Sequence, residues 1–278
     1  MPQTVMFARD ASKKMKNIVI PAVFLLALSF LLTEAKAEEI LAWKDCINEA
    51  KNNHIDLRSP DTQAKLRTAF VNLLTAQELL NITENIAERC ERNTKLVKLQ
   101  YEAGREHKGS LLTMQANLGL AEFEAARAKR KIALAQKKLN SALGRVRPVP
   151  IRAGGKFEAK HYAGERPDFG AIAKKNPSMR SKEKSGRHGS VLLLEETWMD
   201  MQDAVERVEA QNRLLKASEE RARIAGTQYS TGLISFDNWI IIENSLGTER
   251  KSFLEAQKNV LIAEAEWIQT NGGMLDDQ

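Results

Sequence analysis

Cysteine is nearly absent. Cys46 and Cys90 are the only two in 278 residues, which excludes a disulfide-stapled scaffold. Both fall in helical stretches far apart in the chain, where cysteines are more often unpaired than bridged, although an oxidising compartment would permit a bridge. The four histidines, His54, His107, His161 and His188, are scattered without metal-ligand spacing. There is no glycine-rich phosphate loop and no pocket-forming alternation of strand and helix patterns. The many Glu and Lys residues recur at helical spacing, as solvated pairs do rather than an acid/base couple. No residue is therefore assigned to catalysis, to a cofactor or to a metal, and the chain does not read as an enzyme.

The N-terminus carries what the rest of the chain lacks, a long apolar run, broken only by Pro21 and Ser29. Lys13, Lys14 and Lys16 precede the stretch from Ile18 to Leu32, and Ala35-Lys36-Ala37 follows as a small-x-small cleavage site. Residues 1–37 are read as a secretory signal peptide, with Met1 or Met15 as its start. The run is shorter than the ~20 residues of a spanning helix, and Cys46 lies too far past the cleavage site to be a lipid anchor. Residues 1–37 hold five basic residues (Arg9, Lys13, Lys14, Lys16, Lys36) and two acidic ones (Asp10, Glu34), so their removal lowers the formal charge from +6 to +3. The remaining Lys and Arg alternate with Glu along helix faces, which gives no support to nucleic-acid binding. Asn81-Ile-Thr83 matches a glycosylation pattern but falls mid-helix and is discounted.

The second half of the chain repeats the first at an offset of 128 residues without a gap. Tyr101-Glu-Ala-Gly104 aligns with Tyr229-Ser-Thr-Gly232, Leu118 with Leu246, Gly119 with Gly247, Ala128 with Ala256 and Gly144 with Gly272. One supersecondary unit is built twice. Within each unit small and apolar residues recur every 3.5 positions: Leu66, Ala69, Leu73, Ala76, Leu80, Thr83 and on to Tyr101, then Leu111, Met114, Leu118, Ala121, Ala125, Ala128 and on to Ala142. Leu194, Met201, Val208, Leu215 and Ala222 continue the scheme, as do Trp239, Leu246, Phe253, Val260 and Trp267. Each helix spans about 50–60 Å at 1.5 Å per residue. The fold class is all-α: tandem, duplicated, long antiparallel coiled-coil hairpins.

Short elements flank these hairpins. A helix is read over 39–53, Ser59-Pro60-Asp61 breaks the chain and opens the first long helix, and 145–155 is an extended Pro/Gly connector. A second short helix over 167–176 ends at Asn176-Pro177, echoing Ala50-Lys-Asn-Asn53. The domains are 1–37, the signal; 38–145, the first repeat with its tip near 101–110; and 146–278, the second repeat. The latter holds a connector (146–188), a hairpin (189–271) with its tip near 229–238, and a loose tail.

In combination these features resemble the TolC family of outer-membrane efflux channels: a signal peptide, a short helix ending in Asn-Asn or Lys-Asn-Pro, and two Tyr-x-x-Gly turns, each leading into a long Ala-rich helix closed by Gly. The similarity runs from about residue 39 to 273. It implies a homotrimer whose hairpins form a periplasmic tunnel, an outer-membrane location, a periplasmic adaptor (membrane fusion) protein and an inner-membrane pump as partners. It also places Tyr101, Gly104, Arg105, Ser110, Tyr229, Gly232, Ser235 and Asp237 at the adaptor-facing tips. Two departures stand out. The strand pair the family carries between the short and long helix of each repeat has no counterpart at 59–61 or 182–189, although transmembrane strands need about 9–11 alternating residues. At the second tip, Ile234, Asn238 and Ile241 stand where the family places a basic residue and two acids, while Arg105 and Glu106 supply charge at the first.

The implied function is a passive outer-membrane conduit for small solutes such as drugs or metals. The alternative is a periplasmic coiled-coil scaffold that binds partners and conducts nothing.

Overall fold

The computed structural model describes residues 38–157, 166–176 and 187–273. The segment read as a signal, its expected cleavage site and the tail after Gly273 lie outside them. In order come β1 (Glu39–Leu41), α1 (Trp43–Asn52), α2 (Pro60–Glu102), α3 (Lys108–Ala142), β2 (Ile151–Ala153), α4 (Phe169–Lys175), α5 (Arg187–Ser230) and α6 (Phe236–Asn271). The four long helices have 43, 35, 44 and 36 residues, so the longest reach about 65 Å.

The helices form two antiparallel hairpins, α2–α3 and α5–α6, and the hairpins join through α2 and α6. The row therefore reads α3–α2–α6–α5. The seams match the heptads: Met114, Ala121, Ala128 and Ala135 are buried along α3, and Leu194, Met201, Ala222 and Tyr229 along α5. Alanine at these positions lets neighbouring axes approach closely while leucine and methionine fill the wider gaps. Large aromatics collect at the ends. Trp198 and Trp267 meet edge-to-face at 5.2 Å near α4, and Tyr229, Phe236 and Trp239 cluster at the other end with Val97 and Met114.

All four long helices end alike. Gly104, Gly144, Gly232 and Gly272 have φ of 69°, 73°, 80° and 80°, the left-handed conformation that glycine adopts at little cost. At each end the glycine N–H and the next N–H turn back to carbonyls three and five residues earlier: Gly104 to Tyr101 and Arg105 to Gln100, Gly232 to Tyr229 and Leu233 to Gln228, and likewise at Gly144 and Gly272. This pairing satisfies carbonyls the helix would leave open. Its recurrence 128 residues on, from Gly104 to Gly232 and from Gly144 to Gly272, gives the sequence repeat its geometric form.

The asparagine echo is structural too. Asn53 donates to the Leu143 carbonyl at 2.7 Å and Asn176 to the Thr270 carbonyl at 3.3 Å, so each short helix clasps the end of its own hairpin.

Residues 39–53 are not one helix. Glu39–Leu41 is a strand, paired in parallel with Ile151–Ala153 inside the extended connector, and the helix begins only at Trp43. The ladder persists because amide side chains extend it: Gln77 and Ala153 exchange two hydrogen bonds of 2.9 Å, and Gln136 donates to the Ile151 carbonyl at 2.8 Å. Arg145 binds Glu49 and Glu39 from the same corner. The second short helix is Phe169–Lys175, capped by Asp168, whose carboxylate accepts from the Ala171 N–H at 3.0 Å. The third long helix starts at Arg187, two residues before the expected boundary. Both cysteines are free thiols.

Among the described residues the only strands are β1 and β2, three residues each. No described helix is long and apolar enough to cross a membrane. The step from α1 to α2 is closed tightly, with Leu57 buried and Gln63 donating to its carbonyl at 2.6 Å.

Candidate functional site: the paired hairpin tips

The two turns lie side by side at one end of the row. Helix α2 stops at its glycine cap, and α3 restarts with His107, whose Nδ1 accepts from the Ser110 N–H at 3.2 Å. Helix α5 stops in the same way, and α6 restarts with Ser235, whose hydroxyl accepts from the Asn238 N–H at 3.4 Å. Each new helix thus gains one cap for its open N–H groups.

Glu106 is the centre of this end. Its side chain is 11% exposed and accepts from the His107 N–H at 3.0 Å, the Ser110 hydroxyl at 2.8 Å and the Tyr229 hydroxyl at 3.0 Å. Burial pushes its carboxyl up, but the three donors, together with the neighbouring His107, outweigh that and hold it below the usual carboxylate range. Burial, then the bond to Glu106 and that residue's charge, raise the Tyr229 phenol well above its ordinary value. Both groups therefore keep the forms that make the bond, anionic acceptor and neutral donor, across neutral pH.

Beneath the bond, Tyr229 stacks on Trp239 with ring centres 4.2 Å apart and planes 6° from parallel. Phe236 meets both rings edge-on. A cavity of 480 Å³ opens between the turns, lined among others by Arg105, Glu106, His107, Gly232 and Asp237.

The residues singled out from the sequence separate into two groups. Ser110 and Tyr229 are buried, at 1% and 6% exposure, and bind Glu106. Tyr101, Gly104, Arg105, Gly232, Ser235 and Asp237 face outward. The two tyrosines of the matching turns thus differ: Tyr101 is 39% exposed, whereas Tyr229 is packed between aromatic rings. The turn itself needs only their carbonyls, so the motif leaves the side chains free to diverge.

The sequence marks Glu106 only as charge at the first tip, and a second polar centre a few helical turns in from the tips escapes it. There Glu243, nearly buried, accepts from Arg89 at 2.5 and 2.7 Å and from Asn93 at 2.9 Å. An acid at a position flanked by the seam residues Trp239 and Leu246 is the readable signal. Near the opposite end Arg67 and Glu264 face each other at 3.8 Å, with the Arg67 guanidinium over the Trp43 ring at 4.8 Å. Burial lowers the Arg67 pKa, against the raising effect of Glu264. Both pairs clamp α2 to α6. No group of three or more potential metal ligands occurs among the described residues.

Solved structures share this arrangement. The open-state outer-membrane channel MtrE of Neisseria gonorrhoeae superposes with a TM-score of 0.65 at 13% identity, over 81% of this chain and 69% of that one. The transmembrane channel protein CusC gives 0.64 at 15% identity, over 82% and 73%. The outer-membrane protein VceC of Vibrio cholerae gives 0.59 at 13%, over 83% and 73%. The chain has the fold of the TolC-type outer-membrane channels. That fold here is its helical part, and these similar structures are channels rather than enzymes. No family model matches the sequence, and no curated protein matches it.

Proposed function

We propose that this chain is a wall segment of a periplasmic conduit, the exported outer-membrane component of a tripartite export system. Three copies would enclose a passive path for small solutes such as drugs or metals. An inner-membrane pump would supply direction and energy, and a periplasmic adaptor would engage the tips. The carrying observation is the pair of tandem hairpins with matching glycine-capped tips, in the fold of outer-membrane channels. In this reading Gly104, Arg105, Gly232, Ser235 and Asp237 present the contact surface beside Tyr101, while Ser110 and Tyr229 set its shape through Glu106.

A second reading, a periplasmic coiled-coil scaffold without channel activity, is favoured by one observation. Among the described residues no strand is long enough to enter an outer-membrane barrel. Fractionation of a tagged full-length chain separates the two. Recovery in the outer membrane as a trimer on native gels supports the conduit. Recovery wholly in soluble periplasm as a monomer supports the scaffold.

A further inference from the structure

The outer helices of the row carry opposite charge on the faces they turn away from it. Helix α3 contacts α2 through its buried heptads. On its opposite side stand Arg130 and Lys137, one heptad apart, with Lys131 and Lys138 beside them. All four are exposed and none has an ion-pair partner among the described residues. No acid follows Glu124 on this helix. Helix α5 has the inverse pattern. Glu196, Asp200, Asp203 and Glu206 are exposed without ion-pair partners among the described residues, and Arg207 is the only base between Glu195 and Glu209.

The stripes stand at one level. Counted from the tips at 1.5 Å per residue, Arg130–Lys138 lies about 33–45 Å along α3 and Glu206–Glu196 about 36–51 Å along α5. Exposed apolar residues accompany both: Phe123 and Leu134 on α3, at 53% and 56%, and Leu192 and Met199 on α5, at 55% and 57%. Within one chain the two edges pack on different helices, α3 on α2 and α5 on α6.

We propose that the basic α3 edge of one copy docks on the acidic α5 edge of the next, so that charge pairing sets which edges join and in what axial register. The occupant of each edge is a second copy of this chain. The contact is head-to-tail, the kind that closes into a ring when the rotation between copies permits, and complementary charge favours that pairing over like edges meeting. This inference rests on reading the chain as an assembling wall segment.

The test is sedimentation of the full-length protein at about 0.05 M and about 0.5 M salt, which differ severalfold in screening of exposed charges. Association is expected to weaken at least about tenfold at the higher salt, and to weaken comparably when Arg130→Glu and Lys137→Glu are combined, or Asp203→Lys and Glu206→Lys. The four-fold swap should restore association to within about threefold of the parent. Circular dichroism confirms that the variants, all at exposed sites, keep their helices. Association that is indifferent to salt and to both reversals overturns the charge-stripe contact and leaves the wall reading standing. A chain that stays monomeric under every condition overturns both.

Discussion

The Tyr229 hydroxyl donates to the Glu106 carboxylate across 3.0 Å, joining two hairpin turns that lie 123 residues apart in the chain. It is a hydrogen bond from one repeat to the other, and the stack of Tyr229 on Trp239 fixes its direction. Tyr229→Phe keeps the stack and removes the donor, which is expected to cost about 1.5–3 kcal/mol for a bond to a charged group. Tyr229→Ala, which also empties the aromatic site, should cost about 3–5 kcal/mol. Urea unfolding monitored by circular dichroism measures both, and a Tyr229→Phe chain as stable as the parent would show that the hydroxyl contributes nothing.

The same bond dictates a pH response. The folded pKa of Glu106 is depressed, so its contribution is complete above the ordinary carboxylate pKa of about 4.3 and is lost as pH falls through the lower folded value. The difference in melting temperature between the parent and Glu106→Gln should be constant from about pH 8 to about pH 5 and shrink below about pH 4. A constant difference down to pH 3 would contradict the assignment.

Gly232 and Gly226 separate backbone strain from crowding. A Cβ at either position would meet nothing within 4 Å, but Gly232 has φ of 80° and Gly226 lies within α5. Gly232→Val is expected to destabilise by at least about 1–2 kcal/mol, whereas Gly226→Val should be neutral or slightly stabilising because valine is the better helix former. Thermal melts of the two variants decide it, and equal losses would misplace the tip.

The thiols should differ in reactivity. Burial, then the charges of Glu49 and Asp45, push Cys46 up to about 12, and it has no exposed surface. Cys90 is half-buried and raised by burial and Glu243. With a thiol reagent at pH 8, Cys90 should label slowly and Cys46 only on unfolding. Prompt labelling of Cys46 in the folded chain would contradict its placement on the buried face of α1.

Much of the fold is legible in the order of the residues. The 128-residue offset locates both hairpins, and the glycines at 104, 144, 232 and 272 mark every long-helix end, because positive φ leaves a strong residue preference. Three-residue strands leave no periodic pattern. β1 therefore reads as helix, and the strand it pairs with, β2, is held by Gln77 and Gln136 on the long helices α2 and α3. Tyr101 and Tyr229 sit in the same motif, so only packing distinguishes them. Glu106 and Glu243 take partners from the other hairpin, which no local window contains.

The most direct test of a conduit wall is electron microscopy of the full-length chain extracted from the cell envelope. The account predicts closed rings of three copies around an open lumen, with the hairpin tips gathered at one end. Isolated rods about 65 Å long, one chain each, would contradict it.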